Sequence, residues 1–298
     1  MNSGETIQSL QNTGDNLRLL VAQRRIYRTA KRLNAAHVVA VSVLAVGGPI
    51  VTAATPGAAP WVAAVTGLWL FLTRTLIRRE VETLKDRAAG VQELFDIRVL
   101  GLTPNTLVWQ PPEPEAIEDA AGPGFMERVE EEKLRDWYSI AADTPPAAAV
   151  LICQRSNTMY SARLQLKHAQ LWPAALAVWA VVMSAIAVAR SATFAEVLVG
   201  SLLPILPSTL DVVDLRVEAQ RARESYQRLT RSIVEALDEL PIDSNEDADH
   251  RRFQDEILSL RRHVPLVPEF LYRQTRPSNE RAMTAGADDL AQDVRRRM

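Results

Sequence analysis

From residue 33 to residue 73 the chain carries no Asp, Glu, Lys or Arg, and from 168 to 210 it carries only Arg190 and Glu196. A bilayer's hydrocarbon core of about 30 Å takes roughly 20 helical residues at 1.5 Å each, so each window could cross twice. Each also breaks near its middle. The first does so at Thr55, Pro56, Gly57, Ala58, Ala59 and Pro60, the second at Arg190, Ser191, Ala192 and Thr193. This pattern predicts two helical hairpins with four spans near 34–54, 58–77, 169–189 and 193–210. Glu196, Pro204 and Pro207 make the last the weakest. Helices buried in a water-soluble core usually alternate apolar with polar positions. Residues 35–54 and 168–189 are instead apolar on every face, and Trp61, Trp69, Trp172 and Trp179 are placed as interfacial aromatics would be.

Outside these windows the period changes. Ile77, Val81, Leu84, Ala88, Val91 and Phe95 recur at alternating spacings of four and three, as do Leu215, Ala219, Ala222, Tyr226, Leu229, Ile233, Ala236 and Leu240. Such stripes are packing seams. They could meet one another within one chain or join subunits, and the intramolecular pairing is the simpler expectation. The second stripe would project about 39 Å beyond the membrane. The fold class expected is therefore all-α, a polytopic membrane protein with two transmembrane hairpins and extended cytoplasmic helices. Its parts are a lead-in helix (1–33), a first hairpin (34–77), a helical region with a Pro-rich loop (78–167), a second hairpin (168–210), and a heptad helix with a C-terminal region (211–298). Residues 103–124 read as an irregular loop, 125–140 as an acidic helix, and the last fifteen residues as a frayed polar tail. A shared Gln-Arg pair, Gln23-Arg24 and Gln154-Arg155, precedes each hairpin.

Charge gives the orientation. Arg24, Arg25, Arg28, Lys31 and Arg32 precede the first span, and Arg74, Arg78, Arg79, Lys85 and Arg87 follow the second. Arg155, Arg163 and Lys167 precede the third, while Arg216, Arg221 and Arg223 follow the fourth. The positive-inside rule then puts both termini and the central region in the cytoplasm. The lone Cys153 suits a reducing side, and no signal peptide is expected from the polar first thirty residues. A net charge of −2 gives no support to DNA or RNA binding.

The residues offer little for catalysis, and no enzyme activity or metal site is expected. His37, His168, His250 and His263 are scattered, there is no Gly-rich phosphate loop, and Glu130-Glu131 reads as a solvated helix face.

Several clusters, in order, carry a resemblance. They are Gln23-Arg24 with Tyr27 and Ala30-Lys31; Gln92-Glu93-Leu94-Phe95-Asp96 with Trp109; Trp137-Tyr138; and Cys153-Gln154-Arg155-Ser156-Asn157. Phe253-Gln254-Asp255-Glu256-Ile257 with Arg261-Arg262, and Pro268 through Tyr272-Arg273 with Glu280 and Met283, complete the set. The order resembles the SMODS-associating four-transmembrane effectors of bacterial anti-phage (CBASS) systems, from about Leu10 to about Met283. Thr158-Met159-Tyr160 departs from the bulky residue such families place after the Cys-Gln-Arg-x-Asn cluster. The resemblance implies a bacterial inner-membrane effector. It would answer a cyclic oligonucleotide, made by a cognate nucleotidyltransferase, by oligomerising or rearranging until the membrane leaks.

Such a ligand calls for Arg forks and for aromatic or amide partners. The candidates are Gln154, Arg155 and Asn157; Trp137 and Tyr138; Arg24; Arg261 and Arg262; and Tyr272 and Arg273. Arg24 and Arg155 read equally well as juxtamembrane lipid anchors, and Trp137 as a packing residue. The coupling expected runs through Arg155 and the Arg24 cluster, one on each lead-in helix. Ala63, Gly67, Ala177, Ala180 and Ser184 would let spans from several subunits approach closely, with Glu196 the one acidic group in the windows. A membrane scaffold or a small transporter remains the alternative from residues alone.

Overall fold

Where described, the two apolar windows form the far ends of long helices whose other ends belong to a polar body. The computed structural model describes residues 3–189, 193, 195, 203–240 and 246–297. After α1 (Ser3–Leu10), α2 runs unbroken from Gly14 to Ala54, so the lead-in helix and the first predicted span are one element. A 3₁₀ turn (Pro56–Ala58) reverses the chain into α3 (Ala59–Leu72), which passes through a π-helical turn (Thr73–Ile77) into α4 (Arg78–Leu100). The short α5 (Pro114–Ala121) and α6 (Phe125–Glu131) lead to α7 (Pro146–Ala189), again one helix through the lead-in and the predicted span. α8 (Leu203–Asp238), α9 (Glu246–His263) and α10 (Glu269–Arg297) complete the described chain.

Two environments divide these helices. α3 has no buried residue, and Trp61, Leu68 and Phe71 on it, Val39 and Val43 on α2, and Val178, Val181 and Val188 on α7 are all exposed. So large an apolar surface is at home against lipid. By length and composition, one helix among the described residues, Ala59–Leu100, is able to cross a membrane. The fourth predicted span is described at Thr193, Ala195 and 203–210, and Glu196 lies outside the described residues.

The body has one apolar core. It gathers Leu17, Leu20, Phe95, Leu134, Leu151, Ile152, Ile233, Ile257 and Leu258, which come from both halves of the chain. Both heptad stripes feed it, yet they do not pair with each other. α4 packs along α2 and α8 along α7, each exit helix against its own lead-in helix. A stripe specifies a face, not the partner, and a short hairpin turn makes the preceding helix the nearest one. Thr230 of α8 donates to Thr158 of α7 at 2.8 Å inside the second pair.

Three local expectations change. The loop 103–124 contains α5. The acidic stretch 125–140 is helical only to Glu131 and then turns, with Lys133 and Asp136 at positive φ. Residues 284–297 continue α10, whose Ala287, Ala291 and Val294 are buried in the core. α4 stops where it must at Gly101, whose φ of 68° suits glycine and lets Leu102 N–H reach the Ile97 carbonyl at 3.1 Å.

Candidate functional site

Helix periodicity builds the site. Arg24, Tyr27, Arg28 and Lys31 fall at i, i+3, i+4 and i+7 on α2, one face over two turns. Ser156, Asn157, Tyr160, Ser161 and Leu164 do the same on α7, and Tyr272, Arg276, Glu280 and Met283 on α10. These three faces, with residues 133–139, Arg261 and the 264–267 turn, enclose a cavity of about 480 Å³ in the body. That is a small-molecule size. Its lining cations are Arg24, Arg28, Lys31, Lys133, Arg135, Arg261 and Arg276, against the acids Asp136, Glu269 and Glu280. All five tyrosines of the chain, at 27, 138, 160, 226 and 272, line it together with Trp137.

On the α2 wall the cations are held by carboxylates. Arg24 Nε and Arg28 Nη2 converge on the two oxygens of Glu132, the latter at 2.7 Å, and Lys31 Nζ lies 3.1 Å from Glu269 Oε2. Arg24 also donates to the Tyr272 hydroxyl at 2.8 Å, and the Arg24 and Lys31 cations sit 4.9 and 4.8 Å above that ring. Burial lowers the Lys31 pKa although Glu269 opposes it; Glu269 itself is held below its ordinary value because Lys31 and Arg273 outweigh its own burial. Burial pushes the Tyr27 and Tyr160 hydroxyls up, and Tyr226 up to about 12.

Beneath the cavity lies a buried polar network. Asp96 and Glu93 of α4 are fully buried. Asp96 accepts from Tyr138 Oη at 2.5 Å, Gln254 Nε2 at 2.9 Å and Arg261 Nη1 at 2.6 Å. Glu93 accepts from Arg251 at 2.5 Å and Gln254 at 2.8 Å. Asn157 Nδ2 donates to Tyr138 Oη at 2.7 Å, closing a chain from α7 to α4 to α9. Burial disfavours the Arg261 charge, yet Asp96, Tyr138 and Glu93 more than compensate and hold its pKa above the ordinary value. Arg261 is 8% exposed, and its Nη2 has no hydrogen-bond partner among the described residues. The turn after α1 fixes the rim, since Gln11 exchanges hydrogen bonds with the Tyr138 backbone at 2.7 and 3.2 Å.

Residues 5–290 match the SMODS-associating 4TM effector domain. The chain belongs to that family. It is also similar to a Bacillus cereus (strain VD146) protein named "Probable CBASS effector molecule", 24% identical over 274 residues that cover 88% of this chain and 90% of the relative. No solved structure matches. Membership of the SMODS-associating 4TM effectors makes the chain an all-α membrane protein, in accord with the exposed apolar ends of α2, α3 and α7.

Within this effector, Arg24, Trp137, Tyr138, Asn157, Arg261 and Tyr272 all line the cavity. The other candidates lie elsewhere. Gln154 is buried beside α9, donating to the His250 carbonyl at 2.8 Å and to Gln254 Oε1 at 3.3 Å. Arg155 turns to α10, where a Cβ added at Gly286 would lie 2.7 Å from its Nη1. It is not on the cavity wall. Arg262 pairs with Asp86 at 2.7 Å on the surface, and Arg273 pairs with Glu269 at 3.2 Å. Ala63, Gly67, Ala177, Ala180 and Ser184 are exposed on α3 and α7. Tyr27, Arg28, Lys31, Tyr160, Tyr226 and Arg276 also line the cavity and were not among the ligand candidates read from the sequence. The four-residue face on α2 was a legible signal for the first three.

Proposed function

We propose that this chain is an anti-phage effector of the bacterial inner membrane, with both termini cytoplasmic, that takes a cyclic oligonucleotide into the body cavity and then rearranges or assembles to permeabilise the bilayer. The observation that carries this reading is the gathering of all five tyrosines and Trp137, from five helices or turns, around one cavity rich in Arg and Lys. Apolar packing gives no reason to concentrate aromatic rings beside cations. A ligand with several bases and several phosphates gives both reasons, through stacking and charge-assisted forks. α2 and α7 wall the cavity and continue as spans, so a ligand that draws them together acts on both hairpins. The small exposed positions on α3 and α7 are open to a second copy, as a leak path built from thin spans requires.

The test uses the full chain in vesicles loaded with a self-quenching dye. A panel of cyclic di- and trinucleotides is added outside, where the inverted fraction exposes its body, with binding measured in parallel by calorimetry. One member should bind and release dye, and Tyr160→Ala together with Tyr272→Ala should abolish both signals. If no member binds, or if binding occurs without release, the effector reading fails.

A further inference from the structure

We propose that the α2 face is a two-point phosphate receptor, and that Glu132 and Glu269 occupy in this state the positions taken by two phosphodiester groups of the ligand. The proposal rests on the reading of the cavity as the messenger site and says how that site is occupied before the messenger arrives. A carboxylate and a phosphodiester present the same feature to a cation, a pair of oxygens sharing one negative charge, and an Arg fork accepts either. At the first point, Arg24 and Arg28 each take one oxygen of Glu132; at the second, Lys31 holds Glu269. Position 24 lies about 10.5 Å along the helix axis from position 31, so the receptor favours two separated phosphates on one ligand over a single diphosphate.

Three features distinguish these pairs from surface ion pairs. Both carboxylates come from other elements, Glu132 from the turn after α6 and Glu269 from the first residue of α10, so each tethers a separate segment to α2. Glu269 lines the cavity and Glu132 pairs with two of its lining arginines, and the walls carry more cations than acids, so the two carboxylates satisfy only part of its charge. And one ring, Tyr272, lies under both Arg24 and Lys31, placing a stacking surface between the two points. A ligand entering with two phosphodiesters exchanges anion for anion. Little electrostatic energy changes at α2, but the 132–140 turn and the start of α10 are released. The site thus senses its ligand by substitution, and the freed carboxylates report occupancy.

The experiment titrates the full chain in neutral detergent with inorganic phosphate at constant ionic strength and reads the rise in melting temperature. Glu132→Gln and Glu269→Gln each remove a competing anion while keeping side-chain volume, so half-saturation should fall about tenfold relative to the unaltered chain. Adding Arg28→Gln to Glu132→Gln should remove that gain. Because the reading is the phosphate dependence, a shift in baseline stability does not obscure it. If the Gln variants need as much phosphate as the unaltered chain, or more, the proposal is overturned. Phosphate reports the two points whichever nucleotide fits, so silence of every cyclic oligonucleotide sinks the effector reading alone. Cyclic-oligonucleotide binding that the Gln variants leave unchanged sinks this proposal alone. A parallel series in phosphatidylcholine nanodiscs, with and without phosphatidylglycerol, should give equal phosphate responses. Loss of the response with phosphatidylglycerol would assign the points to lipid headgroups and overturn the soluble-ligand form.

Discussion

Replacing Asp96 by Asn tests whether the network under the cavity is bound by charge. The substitution keeps the volume and one acceptor oxygen, so Tyr138 or Gln254 retains a partner, but it removes the anion 2.6 Å from Arg261. Arg261 cannot shed its proton, is 8% exposed, and would be left with Glu93 at 4.0 Å, an acid already bonded to Arg251. Stranding a buried charge in this way costs about 3–5 kcal/mol. That is a large part of the roughly 5–15 kcal/mol available to a folded protein. At about 2 °C per kcal/mol for a chain of this size, the melting temperature should fall by about 6–10 °C. The assay is thermal unfolding in detergent followed by tryptophan fluorescence, run as a double-mutant cycle with Arg261→Met. Because Arg251 still neutralises Glu93, the double variant should recover most of the loss. If the double variant is destabilised by the sum of the single effects, the stranded charge is not the cause and the reasoning fails.

Other outcomes follow from single positions. Cys at Gly57, exposed at the tip of the first hairpin with nothing near its added Cβ, should label from the periplasmic side, and Cys at Leu107, 94% exposed, only from the cytoplasm. Gly4→Ala should lower the melting temperature measurably, because its Cβ would lie 2.2 Å from the Ala141 carbonyl oxygen and backbone must move. The Glu269 pKa is depressed in the folded chain, so its contribution is present above its ordinary value of 4.5 and is lost as pH falls through the folded value. Hydrogen exchange in the first turn of α10 should accelerate on acidification over that range, and Glu269→Gln should remove the pH dependence.

The membrane character was legible because it rests on long charge-free windows, which no local contact can disguise. The site was only half legible, and geometry says why. Adjacent residues on a helix point about 100° apart, and residues two apart about 200°, so Arg155 and Asn157 could not both face one cavity. Arg262 and Arg273 are instead held by Asp86 and Glu269. Reading each cluster as a unit hid this, while the shared Gln-Arg pair made Arg155 look equivalent to Arg24. On α2, the face of Arg24, Tyr27, Arg28 and Lys31 was visible but served equally well as the basic flank of a span. The C-terminal half of α10 escaped notice because Ala287, Ala291 and Val294 are small residues among charges, and small side chains leave a faint periodic signal. Which helix each stripe would cover was not written in the stripes at all.

The unbroken course of α2 and α7 has a mechanical consequence. Under the proposed topology, each is a lever whose short arm ends at the cavity and whose long arm lies in the bilayer. From Arg28 to Ala54 α2 extends about 39 Å, and from Tyr160 to Ala189 α7 extends about 44 Å. A tilt of about 5° at the cavity wall therefore carries the far ends through about 3–4 Å, on the scale of a water molecule's diameter. Displacements too small to disturb the packing of the body are magnified at the far helix ends, and two such arms give the molecule a mechanical advantage that shorter, jointed helices would lose.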